Sequence, residues 1–236
     1  MISGALNSVR ISTPSGTLAK SVKYMNMKNL FISFSLFALA SCALSAQERK
    51  LPAPYMDREA AGIMDALNAR RSVREYSSRE LSEQEIADLL WAAQGKNRED
   101  GRMTSPTARN RQEIRLYLFT ADGVSLYDHD NHSLHRVAEG DYRDLIAGPQ
   151  AFAKTAPLSL LMVADFEKYG SGSDHARMMV YCDAGIVSQN ISLYCAAVGL
   201  CTVPRGIMNV EGLSSLLGLG EKQIPVLNNP VGYPKE

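Results

Sequence analysis

The chain is poor in cysteine and tryptophan, and neither sign of charge is in excess. Four cysteines and one tryptophan occur among 236 residues, and 25 lysines and arginines balance 25 aspartates and glutamates. The first 46 residues hold four of the basic residues and no acidic one, which leaves 21 basic and 25 acidic residues in the remainder. This acidic balance argues against general nucleic-acid binding, which requires a basic surface.

The cysteines provide neither a disulfide framework nor a metal-binding motif. After Cys42 only three remain, Cys182, Cys195 and Cys201, and no Cys-x-x-Cys pair is present. Cys182 and Cys195 fall on one predicted helix at a separation of about 20 Å, which is too far for a disulfide. We expect all three to be small buried residues. We expect no metal site, because the chain has no cluster with zinc-ligand spacing.

No apolar run is long enough to span a membrane as a helix. Residues 30–40 form an apolar stretch of roughly half the 20 or so residues that a spanning helix needs. Lys28 precedes this stretch and small residues follow it, which is the layout of a secretory signal peptide. We therefore expect residues 1–46 to be a misassigned start followed by a signal peptide, with Met25 or Met27 as the true first residue.

Cys42 closes a sequence that resembles a bacterial lipobox, Leu39-Ala40-Ser41-Cys42. One interpretation is lipidation at Cys42, which would be the protein's one attachment to a membrane. The other is ordinary signal cleavage near Ala46. Both predict an exported protein, either periplasmic or anchored as a lipoprotein.

The remaining residues suffice for one domain. Residues 47–56, with two prolines, are predicted to form an extended tether, and residues 57–236 the domain. A helix is expected over 57–69, with Ala60, Ile63, Met64 and Leu67 on one face. Ser82 and Glu85 form a capping-box pattern that begins a second helix, which ends at Gly95.

Further along the chain, alternation predicts a strand over 114–119 that returns as a hairpin over 124–127. A polar loop is expected over 128–140, with three histidines, His129, His132 and His135. The continuously apolar stretch 158–164 indicates a strand buried on both faces. A long, nearly all-apolar helix is expected over 174–198, then a short helix from Asn209 to Leu217 and a last strand over 224–231. This irregular alternation indicates an α+β domain with three α/β/α layers.

A cluster of three arginines and a serine, RRSVR at residues 70–74, directly follows the first predicted helix. Each arginine presents five N–H donors in a rigid fork that matches phosphate oxygens. The cluster predicts binding of a phosphate-bearing ligand. The alternative is a solvated basic turn whose arginines pair with Glu75 and Glu80.

The order of these pieces resembles the nitroreductase family of flavin enzymes. Five stretches carry the resemblance: RRSVR at 70–74, SPTARNRQ at 105–112, Asp183-Ala184-Gly185 with Gln189-Asn190, Val203-Pro204-Arg205-Gly206, and the terminal PVGYPK at 230–235. The chain departs from the family pattern at Arg205, where a glutamate is frequent, and at Glu113, where an aromatic residue is usual. Only Lys235 is left to supply a basic residue at the end.

The resemblance implies bound FMN, a homodimer with the cofactor at its interface, and two-electron ping-pong chemistry on a small organic substrate. The residues that it assigns to the cofactor are Arg70, Arg71, Ser72, Arg74, Pro106, Thr107, Asn110, Gln112, Arg205, Gly206 and Lys235. The first arginines and Ser72 would hold the phosphate. Asn110 would pair with the ring edge, and the Gly206 backbone would approach the ring. No catalytic acid or base is identified.

Two other functions remain open at this point. One is an exported flavin-binding module without turnover, favoured by Arg205 and by the short C-terminus. The other is a surface lipoprotein without cofactor, in which the arginines only form surface salt bridges.

Overall fold

A computed structural model describes residues 47–235. Its strands are β1 (Glu48–Lys50), β2 (Ile114–Thr120), β3 (Gly123–Asp128), β4 (Ser133–Glu139), β5 (Leu158–Asp165), β6 (Cys201–Thr202) and β7 (Gln223–Gly232). Its helices are α1 (Ile63–Ala69), α2 (Glu83–Gln94), α3 (Arg143–Ala147), α4 (Phe166–Tyr169), α5 (Asp174–Ala197) and α6 (Val210–Leu217). Two short 3-10 turns occupy Ala108–Asn110 and Ala151–Thr155.

The seven strands form one antiparallel sheet in the order β1-β4-β3-β2-β5-β7-β6. Helices cover both faces of this sheet. Successive side chains of a strand point to opposite faces, and apolar side chains on each face pack against helices. In β5, Leu160 and Met162 belong to the apolar cluster that includes α2 and α5. Leu161 and Val163 belong to the second cluster, with α3 and α6. The predicted three-layer α+β architecture is therefore confirmed.

Several elements form for the local reasons read from the sequence. Ser82 is the N-cap of α2, and it makes the predicted reciprocal capping box with Glu85. Gly95 is the C-cap of the same helix. The seven residues from Leu158 through Ala164 are all buried, as expected for a strand covered on both faces. Asn209 caps α6 by accepting from Gly212 N at 2.9 Å.

The first predicted helix is shorter than expected, and its apolar face is exposed. It begins at Ile63 rather than at residue 57, because Ala61 N donates to Ala197 O at 2.9 Å instead of continuing a helix. Ile63, Met64 and Leu67 are exposed, and Ala66 is the buried residue of the helix. The apolar side chains predicted to share one face therefore point outward in this chain.

Two segments expected to lie outside the sheet contribute strands to it. Residues 133–139, predicted as part of a polar loop, form β4 and pair with β3. Residues 48–50, predicted as part of a tether, form edge strand β1 and pair with β4 from Glu48 to Lys50. Backbone hydrogen bonding outweighs the polar composition at this partly solvated edge. The domain boundary near residue 47 stays a prediction, and the predicted signal and lipobox lie outside the described residues.

Helix α5 runs through the middle of the domain and connects the regions discussed below. It packs against α1 and α2. It is less uniformly buried than its composition indicated, since Met178, Tyr181 and Cys182 are exposed. Cys182 was expected to be buried, so this part of the cysteine prediction is wrong. Among residues 47–235 no helix is long and apolar enough to cross a membrane.

Candidate functional site

The arginine cluster is held at the edge of the sheet by its own backbone. Ser72 makes a parallel bridge to Thr202 of β6, and Val73 N donates to Thr202 O at 3.0 Å. The Tyr76 hydroxyl donates to Val73 O at 2.9 Å from a buried position. Burial raises the pKa of Tyr76 strongly, so its hydroxyl stays protonated as a donor. The chain that carries the guanidiniums is thus rigidly attached to β6.

The end of the chain returns to the same place. Tyr76 bridges to Pro234, and Ser77 N donates to Tyr233 O at 2.9 Å. Lys235 N reaches Glu75 O at 3.4 Å. The structure therefore brings Lys235, predicted from the far end of the sequence, beside the arginine cluster.

The three guanidiniums of the cluster have no carboxylate partner within residues 47–235. Arg71 and Arg74 are exposed and Arg70 is half-buried. Over the described chain none of them lies within 4.0 Å of an acidic side chain, and Glu75 and Glu80 do not pair with them. A cavity of about 200 Å³ lies beside Arg71 and Pro234. The arrangement is an unneutralised cationic surface next to a small cavity, which suits a phosphate group.

The second predicted group forms a tight turn before β2, over residues 107–112. Arg109, Asn110 and Gln112 have φ values of 57°, 53° and 53°. Left-handed backbone is uncommon for residues other than glycine, and such strain clusters at ligand sites. Within the turn Gln112 N donates to Thr107 Oγ1 at 2.8 Å.

The turn is also tied to a neighbouring loop and to α5. Gln112 Nε2 donates to Gly101 O at 2.9 Å. Ala108 N donates to Asp183 Oδ2 of α5 at 2.8 Å. Asn110 is exposed and Thr107 half-buried, so their side chains line an accessible surface. Pro106 is exposed as well.

The arginine cluster and the turn do not meet within one chain. The turn is bonded to Asp183, in the middle of α5, whereas the arginine cluster is bonded to β6, which follows the last residue of α5, Ala197. Fourteen residues of helix separate Asp183 from Ala197, or about 20 Å at 1.5 Å per residue. The turn thus lies beside the middle of the central helix, and the arginine cluster lies beyond its C-terminal end.

Arg205 has a different role from the one expected. All five of its N–H groups are taken up inside the protein: Nε donates to Gln150 Oε1, Nη1 to Ile146 O and Asn228 Oδ1, and Nη2 to Ala147 O and Ile207 O. Its backbone exchanges two hydrogen bonds of 2.8 Å with Asn228. No donor of Arg205 is left for a cofactor, because a guanidinium has only five. Arg205 is a structural clamp between β7 and α3, and its assignment to the cofactor is corrected.

Gly206, next in sequence, faces open space. A Cβ at this position would meet nothing closer than Val226 O at 3.9 Å. The backbone there is exposed and accessible to a ligand. The Gly206 backbone is therefore accessible, whereas the Arg205 side chain beside it is buried.

The histidine segment is ordered and structural. His132 bonds through Nδ1 to the Tyr127 hydroxyl at 2.8 Å and through Nε2 to Pro52 O at 3.0 Å. His135 lies 3.3 Å from Asp128. Over the described part of the chain no three histidine, cysteine or acidic side chains come together as a metal site would require.

Comparison with known proteins agrees with this geometry. Residues 67–233 match the model of the nitroreductase family. The chain belongs to the nitroreductase family. A protein that carries the name of a nitroreductase in Methanocaldococcus jannaschii is 33% identical over 189 residues, which cover 75% of this chain and 93% of that protein.

Two further relatives extend the comparison. A Methanothermobacter thermautotrophicus protein is 26% identical over 178 residues, covering 74% of this chain and 78% of its own length; its name is that of an NADH dehydrogenase/NAD(P)H nitroreductase. A crystal structure from Ralstonia eutropha, titled as a nitroreductase, has a TM-score of 0.75 and 30% identity. That likeness covers 81% of this chain and 92% of the other.

Sequence reasoning assigned no role to the residues that support the site. Asn229 links α5 to β6: Ser188 Oγ donates to its Oδ1 at 2.7 Å, and its Nδ2 donates to Thr202 Oγ1 at 3.2 Å. Asp183 anchors the turn. The sequence did show that polar residues, Asp183 and Ser188 among them, interrupt the largely apolar helix α5.

Proposed function

We propose that this oxidoreductase binds FMN and carries out two-electron, ping-pong chemistry on a small organic substrate. The observation that supports this most directly is the unneutralised cluster of Arg70, Arg71 and Arg74 beside Lys235. Bound FMN would supply the redox chemistry, and the protein would supply binding and orientation. The donor set fits the group, because a phosphate dianion requires several charged donors that are not already paired.

The residues divide the work by chemistry. Arg70, Arg71, Arg74 and the Ser72 hydroxyl would hold the phosphate, with Lys235 adding charge. Asn110, which carries both a donor and an acceptor, would meet the ring edge from the strained turn. Thr107 and Pro106 shape that turn, and Gln112 braces it through Gly101. The Gly206 backbone is open to the ring.

A homodimer follows from the separation of the two groups. One chain holds them about 20 Å apart along α5, so a second copy related by a two-fold axis would supply the turn that faces the first copy's arginines. The outward apolar side chains of α1 and α5 provide a surface for that contact. They are Ile63, Met64, Leu67, Met178 and Tyr181.

Titration of the purified apoprotein with FMN tests the cofactor proposal. Loss of one charged bidentate contact in Arg74→Ala should weaken binding by about 30- to 1000-fold, on the order of 2–4 kcal/mol. Arg102→Ala is the matched control, because Arg102 is exposed and pairs only with Asp100 in the described chain. Equal affinities of Arg74→Ala and wild type would refute the phosphate assignment.

Two of the arguments for the alternative functions are weakened by the contacts of the residues that motivated them. Arg205 favoured a flavin-binding module without turnover, but its side chain serves a structural purpose. A cofactor-free surface role relied on arginines paired with neighbouring glutamates, and Arg70, Arg71 and Arg74 make no such pairs within residues 47–235. A purified protein that is colourless and does not bind added FMN would restore the second alternative.

We also propose export, with lipid attachment at Cys42. The support is the sequence layout of residues 28–46, which lie outside the described structure. Replacement of Cys42 by serine should move the protein from the membrane fraction to the soluble fraction of cells. Unchanged fractionation with a mature start at Ala46 or Gln47 would establish ordinary cleavage instead.

A further inference from the structure

A buried pair of carboxyl groups lies behind the turn at 107–112. Glu113 has no exposed surface and Asp183 is 6% exposed. Their side chains are within hydrogen-bonding reach of each other. Asp183 already accepts a hydrogen bond from Ala108 N. Within residues 47–235 neither carboxyl oxygen of Glu113 accepts a hydrogen bond from any other group, so a proton shared with Asp183 is the one that remains to it.

Two adjacent buried carboxyl groups do not both ionise, because like charges repel and an ionised carboxylate without donors is costly to bury. Asp183 accepts the Ala108 N–H, whereas Glu113 has no N–H donor of its own within residues 47–235. The proton therefore resides on Glu113, which can donate it to Asp183. Burial, reinforced by Asp183, raises the pKa of Glu113 to about 7.

Other charged groups around Glu113 do not replace this proton. Lys168 of α4 acts on Glu113 electrostatically and favours its charged form, but less strongly than burial disfavours it. Asp165 N donates to Glu113 O at 2.9 Å. The Asp165 carboxylate is itself occupied by Glu167 N, Lys168 N and Gln223 Nε2.

We propose that Glu113 and Asp183 share one proton and that this pair positions the 107–112 turn. When the pair loses this proton to solvent, two carboxylates face each other, and their electrostatic repulsion pushes Asp183 away from Ala108 N. The turn then loses its bond to α5, and its three left-handed residues relax toward ordinary backbone. The effect on the cofactor rests on the proposed function, whereas the effect on the turn does not.

The direction of the pH dependence follows from proton linkage. The folded pKa lies above the ordinary value of 4.5, so the folded protein retains a proton that the unfolded chain loses. The contribution of the pair to stability is complete below about pH 4.5, decreases as pH rises, and is gone above about pH 7.

Amide hydrogen exchange of the peptide 105–113 measures the protection of the turn directly and needs no cofactor. Rates are compared at pH 6 and pH 8.5 after correction for intrinsic exchange. In wild type, and in the control Glu99→Gln on an exposed loop residue, protection should fall about fivefold or more at the higher pH. In Glu113→Gln it should not change with pH, because the amide donates to Asp183 throughout. The same pH dependence in Glu113→Gln as in wild type would overturn the proposal.

A second variant, Asp183→Asn, tests the same proposal if Glu113→Gln does not fold. In Asp183→Asn the side-chain carbonyl still accepts from Ala108 N and the amide donates to Glu113, so the pH dependence of exchange should also disappear. If it persists, the proposal is wrong.

FMN titration at the same two pH values separates this proposal from the assigned function. Wild-type affinity should weaken about fivefold or more from pH 6 to pH 8.5, and that of Glu113→Gln should stay constant. An absence of FMN binding at both pH values would refute the cofactor while the exchange experiment still decides the pair. FMN affinity independent of pH, with pH-dependent exchange, would refute the coupling of the pair to the cofactor.

Discussion

Arg205 shows how a single buried residue can be committed entirely to the fold. It is 6% exposed, and within residues 47–235 it forms no ion pair with a carboxylate. One of its five side-chain hydrogen bonds goes to Asn228 of β7, and the other four go to acceptors between the start of α3 and the start of β7. Burial lowers the pKa of Arg205, but the full set of acceptors retains the charge. The guanidinium also lies over the Phe152 ring, 5.4 Å from its centre. The residue joins three elements through one planar group.

Replacement of Arg205 by lysine should therefore destabilise the protein markedly. An ammonium has three donors, so at least two of the five acceptors lose their partner. Each buried acceptor left unpaired costs about 1–3 kcal/mol, which predicts a loss of about 2–6 kcal/mol in the free energy of unfolding. Urea denaturation measures it, with Arg102→Lys at the surface as the control. A loss equal to that of Arg102→Lys would contradict the clamp.

At the scale of elements, α2 is stabilised at its first turn by bonds that also reach distant parts of the chain. Ser82 N donates to Glu85 Oε2 at 2.8 Å, and the Tyr233 hydroxyl donates to the other oxygen of Glu85. Six residues after the cap, Asp88 binds Arg58 at 2.7 Å and accepts from Tyr55 N at 2.8 Å. The helix thereby fixes both the segment that precedes α1 and the end of the chain near the arginine cluster.

Replacement of Ser82 by alanine removes the hydroxyl that accepts from Glu85 N. We expect a loss of about 1 kcal/mol in the free energy of unfolding, typical of a lost N-cap. Thermal or urea unfolding measures the change. Ser78→Ala, at an exposed position outside any helix, is the control, and equal stability of the two variants would show that the cap contributes nothing.

At the scale of the whole molecule, apolar surface remains uncovered in the single chain. Five large apolar side chains on α1 and α5 are 44–73% exposed, and the two helices pack against each other. They are Ile63, Met64, Leu67, Met178 and Tyr181. An exposed apolar patch of this kind marks an interaction surface. We expect a second copy to cover it, because a two-fold axis would bring the same patch of both copies together.

We therefore expect sedimentation to report a dimer for wild type and a shift toward monomer for Met64→Glu, which places a charge in the patch. Val210→Glu is the matched control, since Val210 is also exposed but lies on α6. A wild-type protein that binds FMN and remains a monomer at every concentration would contradict the dimer. Monomerisation by both variants alike would contradict the location of the interface.

Features that depend on neighbouring residues could be predicted from the amino-acid sequence. The capping box at Ser82, the strand buried on both faces at β5 and the glycine that ends α2 each follow from local chemistry and periodicity. The arginine cluster could also be recognised in the sequence, because five consecutive residues contain all of its guanidiniums. The family follows from several such local motifs in one order.

The groups that meet and the surfaces that are buried depend on long-range packing of the folded chain. The apolar face of α1 points outward because Ala61 bonds to the end of α5. Arg205 turns inward because acceptors from α3 and β7 converge on it. Glu113 and Asp183, seventy residues apart in sequence, become a carboxyl pair because β2 and α5 bury them together. Such contacts arise from long-range packing, and neither residue type nor spacing along the chain encodes them locally.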